Sequence, residues 1–249
     1  MYTDRFSRTT LLLGDEGVAR LANARILLVG VGGVGSHAAE ALVRAGVGSM
    51  TLIDGDVVQP SNINRQLHAL MSTVGQPKVE AMAERLLQIN PSLAITSCFL
   101  RVTPENIEQL LAHGYDLVLD AIDSFAAKKG LLLACVNAGI PVLSSMGAAG
   151  RLDPSHVKLA DLSKSQGCRL ARKLRKELKK AGVASGVTVV YSDEQLPEVS
   201  LGEVEEGEDS RRPLGSISYM PAIFGFTLAA EAIRLILAPE KSENFSACG

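Results

Sequence analysis

The chain has 249 residues, 47% of them hydrophobic and 21% charged, which is enough to bury one substantial core. A formal charge of −2 creates no global field toward nucleic acid, so any polyanion site has to be a local patch. Cys98, Cys135, Cys168 and Cys248 are far apart and form no C-x-x-C pair, which argues against a zinc framework or disulfide scaffold and for reduced thiols in a cytoplasmic chain.

The polar start, Met1-Tyr-Thr-Asp-Arg, contains no apolar run like a signal peptide. Arg25–Val29 reads as a short strand ending in glycines, and Gly33–Ala45 has helical spacing. Met50–Ile53 is strand-like and ends at Asp54, Lys78–Ile89 is helical, and Ile95–Phe99 is a strand. Thr103-Pro104-Glu105 predicts a helix start, with a capping hydroxyl, a first-turn proline and an early acid. Leu117–Leu119 and Val142–Leu143 read as buried strands flanking an Ala126–Asn137 helix. This alternation predicts an α/β fold, Rossmann-like, with a mainly parallel sheet.

After Gly150 the rhythm changes. Val157–Leu159 and Val187–Tyr191 look like strands on either side of a very basic helix. Ser192–Arg212 is acidic, carries Pro and Gly and reads as a mobile loop. Ile217–Leu237 is the best membrane candidate, but Glu231 and Arg234 make Tyr219–Leu237 a buried helix, so no membrane is expected. The chain divides into a core over 1–146 and an extension over 147–249, read together as one domain.

Gly30-Val-Gly32-Gly33-Val-Gly35 sits between a strand and a helix, where glycines permit close backbone approach to phosphate and the helix start favours negative charge. Asp54 ends the next strand near the spacing at which an acid receives ribose hydroxyls. These features alone fit NAD or ATP. The discriminating segment is Asp54-Gly-Asp56-Val-Val-Gln-Pro-Ser-Asn62-Ile-Asn64-Arg65-Gln66, then Gly75-Gln-Pro-Lys78 and Asp120-Ala-Ile-Asp123-Ser124. A hydride-transfer pocket has no use for two cations beside the pyrophosphate. Phosphate chemistry uses Arg and Lys to neutralise a leaving pyrophosphate and a carboxylate to hold Mg²⁺. Taken singly, Lys78 could be a solvated first-turn lysine, Asp123 a helix cap and Arg8 a surface residue.

Together these motifs resemble the ThiF/MoeB/HesA superfamily, relatives of ubiquitin-activating enzymes, from Arg5 to about Met146. The resemblance implies ATP and Mg²⁺ as cofactors. It places Gly30, Gly32, Gly33, Gly35, Asp54, Asp56, Asn62, Arg65, Lys78 and Asp123 around the nucleotide, with Asp54 on the ribose and Asp123 on the metal. It assigns catalysis to Arg65, Lys78, Asp123 and Arg8, the last reaching into a partner subunit of a homodimer. The paired C-x-x-C motifs of many sulfur-carrier activators are missing. Cys168 is the only cysteine to consider for catalysis, and it reads better as structural.

The second half reads Asp161-Leu-Ser-Lys164-Ser-Gln-Gly-Cys-Arg169-Leu-Ala-Arg172-Lys173-Leu-Arg175-Lys176. Leu170, Leu174 and Leu178 form one apolar stripe. Lys164, Arg169, Arg172, Lys173, Arg175 and Lys176 then form a candidate phosphate-backbone surface, although a solvated face is the plainer reading. With Gly147-Ala-Ala-Gly150-Arg-Leu-Asp-Pro154, the Val-Val-Tyr-Ser-Asp-Glu strand end and Phe224-Gly-Phe, the layout resembles the branch that dehydrates N6-threonylcarbamoyladenosine-37 in tRNA to a cyclic form at the expense of ATP. That resemblance implies a tRNA carrying threonylcarbamoyladenosine as partner and, as in some relatives, a cysteine desulfurase or sulfur acceptor. The alternative is an adenylyltransferase for the C-terminus of a ubiquitin-like sulfur carrier. Ser145, Gly147 and Gly150 are candidates for the substrate pocket, while His68 and His113 are read as structural.

Overall fold

The computed structural model describes residues 4–195 and 215–238. Seven strands form one sheet: β1 Arg25–Val29, β2 Ser49–Asp54, β3 Ala94–Phe99, β4 Leu117–Asp120, β5 Val142–Ser145, β6 Val157–Asp161 and β7 Thr188–Ser192. Their order is β3-β2-β1-β4-β5-β7-β6. All neighbours pair in parallel except β6 with β7, where Val157 faces Ser192 and Asp161 faces Thr188. The parallel β1–β4 pairing reverses the direction in which the sheet grows. The carboxyl ends of those two strands therefore open a crevice, the usual place for a ligand in such sheets.

The expected strands and helices are present, most of them within a residue or two. The long helices are α1 Ser7–Asn23, α2 Gly33–Ala45, α3 Lys78–Ile89, α5 Phe125–Asn137, α6 Arg169–Lys180 and α7 Tyr219–Leu237. One start is corrected. The helix expected from Thr103-Pro104 begins only as α4, Ile107–Leu111. Asn106 accepts a bond from the Thr103 amide, gives its own amide to Thr103 O and its side-chain amide to Arg101 O, so residues 103–106 close a turn first. Most of the expected acidic loop Ser192–Arg212 lies outside the described residues.

Central strands are apolar on both faces because helices cover both. Leu28, Met50, Leu52 and Leu119 face α2, α3 and α7, while Leu27, Val29 and Val118 face the layer of α5 and α6. Each such side chain contributes about 1.5–3 kcal/mol on full burial. Helix α7 is long and apolar enough to cross a membrane, with mean hydropathy 1.6, but here Met220, Phe224, Leu228 and Ala232 are core residues. A Cβ on its Gly225 would meet Val34 O at 2.5 Å and His37 Cβ at 2.8 Å, so α7 lies directly against α2.

The largest fully buried side chain is a lysine. Lys128 on α5 and Asp120 at the end of β4 are both 0% exposed, with Nζ 2.6 Å from Oδ2. Removing one partner of such a pair costs about 3–5 kcal/mol, because the other charge is left buried alone.

Candidate functional site

A cavity of about 830 Å³ opens where the carboxyl ends of β1 and β4 diverge. Its walls include Gly30, Gly32 and Gly33 of the glycine turn, Asp54 and Asp56 after β2, and Asn62, Arg65, Gln66 and Lys78. Opposite stand Ala121–Ser124 after β4 and Ser145–Ala149 after β5. The predicted cations and the predicted acid therefore converge on one space.

The turn needs its glycines for two distinct reasons. Gly30 has φ +91°, and a Cβ there would lie 2.6 Å from Ala121 O. At Gly35 a Cβ would fall 1.9 Å from Gly30 O. Gly35 thus lets α2 start directly behind the turn, and it stands behind the cavity wall rather than in it. Gly33 faces the cavity with Arg65 and Pro221 alongside: a Cβ would reach Arg65 Cγ at 3.4 Å and Pro221 Cβ at 3.0 Å.

Asp54 braces the turn. Its Oδ2 accepts from the Val31 amide at 2.7 Å and its Oδ1 from the Asp56 amide at 2.9 Å. Burial raises its carboxyl above the ordinary value, against the opposing pull of the Lys78 charge and of the two backbone donors. Lys78 opens α3 almost fully buried and holds Asp56 Oδ2 at 2.8 Å, so the solvated-lysine reading does not apply. Asp56 also receives Arg101 Nη2 at 3.3 Å, and Arg101 lines the cavity. Asn62 is buried with Oδ1 accepting from the Gln59 amide, which folds the short 3-10 turn that carries it. Arg65 is anchored through Nη1 to Ser61 O at 2.8 Å and Asn64 Oδ1 at 2.7 Å. Gln66 lines the cavity, and its buried Oε1 lacks a partner among the described residues.

Asp123 is exposed in the cavity wall, and the cap of α5 is Ser124, so Asp123 is not the capping residue. Among the described residues there is no cluster of three His, Cys, Asp or Glu able to hold a metal. A lone carboxylate is nevertheless the donor set that suits Mg²⁺, which keeps several waters and binds mainly through substrate phosphates. Ser145 and Gly147 line the cavity as expected, but Gly150 lies beyond the wall, its amide bonded to Gly215 O at 2.8 Å. Arg8 is exposed on α1 and takes no part in its own chain's cavity.

Of the basic set, Lys164, Arg169, Arg172, Lys173 and Lys176 are exposed. Lys173 stands 4.2 Å over the Phe125 ring. Arg175 differs from these: it is half-buried, and its Nη1 donates to Ser165 O at 2.6 Å and Leu162 O at 3.2 Å, so this guanidinium fastens α6 to the turn before it. Leu174 and Leu178 are buried, and Leu170 reaches the cavity wall, placing the start of α6 at its mouth. Cys168 is buried at the cap position of α6, where Sγ accepts from the Ala171 amide at 3.5 Å, which supports its structural reading. His68 is 2% exposed, has no partner for either ring nitrogen among the described residues and lies outside the cavity wall. Burial, then the nearby Lys78, Arg85 and His37, push it down to about 4.

The ThiF family profile matches residues 6–247. The chain belongs to the ThiF family. It is 41% identical over 241 residues to the tRNA threonylcarbamoyladenosine dehydratase of Bacillus subtilis (strain 168), covering 94% of each protein. The crystal structure of Escherichia coli tRNA N6-threonylcarbamoyladenosine dehydratase in complex with ATP superposes with TM-score 0.85 at 38% identity, over 95% of this chain and 97% of that one. The molybdopterin-synthase adenylyltransferase of Salmonella typhimurium (strain LT2) is also 41% identical, but over 151 residues, 60% of this chain and 59% of that protein. Similarity to the dehydratases thus runs through both halves of this ThiF-family chain. Sequence reasoning missed three parts of the site: Arg101, the partnerless acceptor of Gln66 and the Asp120–Lys128 pair. The pair had a signal, an acid ending a strand with a lysine near the start of the helix that follows.

Proposed function

We propose that this chain is an ATP-dependent tRNA threonylcarbamoyladenosine dehydratase, which adenylates the threonyl carboxylate and lets the modified base close on itself. The supporting observation is the convergence of Arg65, Lys78 and Asp123 on one cavity whose mouth meets the basic helix α6. The full-length similarity to dehydratases accords with it. The nucleophile is the substrate's own carboxylate, ionised at neutral pH, so the first step needs no protein base. It attacks the α-phosphorus of ATP and pyrophosphate leaves. Arg65 and Lys78 stabilise the departing charge, with Asp123 as the Mg²⁺ ligand. The urea part of the same side chain then displaces AMP from the mixed anhydride. That step is intramolecular and needs mainly alignment and exclusion of water.

Arg8 is the residue offered to a second subunit. It shares a face of α1 with Leu11 and Leu12, which are 80% and 83% exposed, and a homodimer would cover them. The exposed cations of α6 carry the tRNA backbone, and a cytoplasmic setting suits both substrates.

The deciding experiment is mass spectrometry of tRNA nucleosides from cells lacking and re-expressing the protein. The cyclic nucleoside should disappear and return, with the acyclic one accumulating in between. If the nucleoside pool is unchanged, and ATP–pyrophosphate exchange depends on a small carrier protein rather than on tRNA, the sulfur-carrier reading replaces this one.

A further inference from the structure

We infer that Lys128 is a positioning residue, which holds the two walls of the cavity after β4 and β5 in fixed relation. The inference rests on the adenylation reading above. Lys128 itself reaches neither solvent nor the cavity wall. Its Nζ donates to Asp120 Oδ2 at 2.6 Å, to Ser145 O at 2.9 Å and to Ser144 Oγ at 3.3 Å. Ser144 Oγ donates in turn to Asp120 Oδ2 at 2.6 Å. The second carboxylate oxygen, Oδ1, accepts from the Ile122 amide at 3.0 Å.

This one ammonium group therefore ties the strand end that leads to Asp123 to the strand end that leads to Gly147. Ala121, in the first of these, also packs against the phosphate turn at Gly30. A hydrophobic side chain would fill the same volume at no desolvation cost, so burial alone does not account for a lysine here. What the lysine adds is direction: three donors of one group hold acceptors on two strands and prevent the walls from sliding past one another. The metal-binding acid and the substrate-side loop then keep their spacing while the reacting groups are aligned.

The test is the double variant Lys128→Met/Asp120→Asn, which removes both charges and so avoids leaving one buried alone. Assayed as folded protein, it should keep its KM for ATP within about threefold while kcat for tRNA cyclisation falls about 10- to 100-fold. Wild-type kcat in the folded double variant overturns the inference. If the double variant does not fold, the wild-type protein decides: the Ile122 amide, whose acceptor is Asp120, should exchange with deuterium as slowly as the β4 amides. Exchange at the rate of an open loop overturns the inference too. Absence of cyclisation by the wild type defeats the proposed function instead, and the exchange measurement still judges the role of Lys128.

Discussion

Residues before and after Met146 share one sheet but handle positive charge in opposite ways. In the first part, Lys78 is buried and held by Asp56, and Arg65 is fixed through Ser61 and Asn64. In the second, Arg172, Lys173 and Lys176 stand exposed on α6. Charges fixed by partners suit chemistry at a single atom, where an error of an ångström is costly. An exposed array suits a long polyanion, for which number and spacing matter more than exact direction.

The sharpest way to break this contrast is at Lys78 or Asp123. Alanine at either should reduce cyclisation and ATP–pyrophosphate exchange about 100- to 1,000-fold, with the circular dichroism spectrum retained. Full turnover in either variant would remove that residue from the proposed chemistry. Next comes charge reversal at Arg172, Lys173 and Lys176 together. Affinity for tRNA should fall, and the slope of log K against log salt should flatten by about 2–3, while the KM for ATP stays put. Equal affinity in filter binding would take the tRNA off α6. Because Arg175 is spent on Leu162 and Ser165, its alanine variant should lower the melting temperature more than it lowers tRNA affinity.

The smallest effect concerns acid. The His68 ring stays neutral in the folded protein down to about 4, whereas the unfolded chain takes up its proton near 6.5. Between those values the unfolded state binds more protons, so stability is complete above the upper one and declines as pH falls toward the lower. The total is on the order of 3 kcal/mol. Urea midpoints at pH 7 and pH 4.5 should differ less in His68→Phe than in wild type, and an unchanged difference would place the acid sensitivity elsewhere. Since His68 lies beside Lys78, Arg85 and His37, this sensitivity belongs to the first part of the chain.

Much of the molecule could be read before it was seen, because periodicity reports burial directly. Strands such as Arg25–Val29 sit between two helical layers and are apolar after their first residue, and Tyr219–Leu237 carries its two charged residues near one end of an apolar run. Helix α1 was invisible for a physical reason. Gly14, at φ +72°, kinks it, Leu11 and Leu12 face outward, and only Gly17, Val18 and Leu21 beyond the kink are buried, so the stripe that marks it is short. In the site, residues joined by a contiguous motif were legible, among them Asn62, Arg65 and Lys78. Those defined by contacts across the fold were not. Arg101 meets Asp56 only because β2 and β3 lie side by side. Gly35 and Arg175 carry the residue types expected of ligand contacts, yet their surroundings are backbone of their own chain.

Helix α7 has a consequence in time. Its Pro221 rests against Gly33 and its Gly225 against Val34, so the floor of the phosphate turn is supplied by a stretch made long after the turn itself. The glycine turn itself emerges far earlier. A nascent chain stalled before Tyr219 is therefore expected not to retain ATP on a filter, and adenylation cannot begin on a half-made molecule.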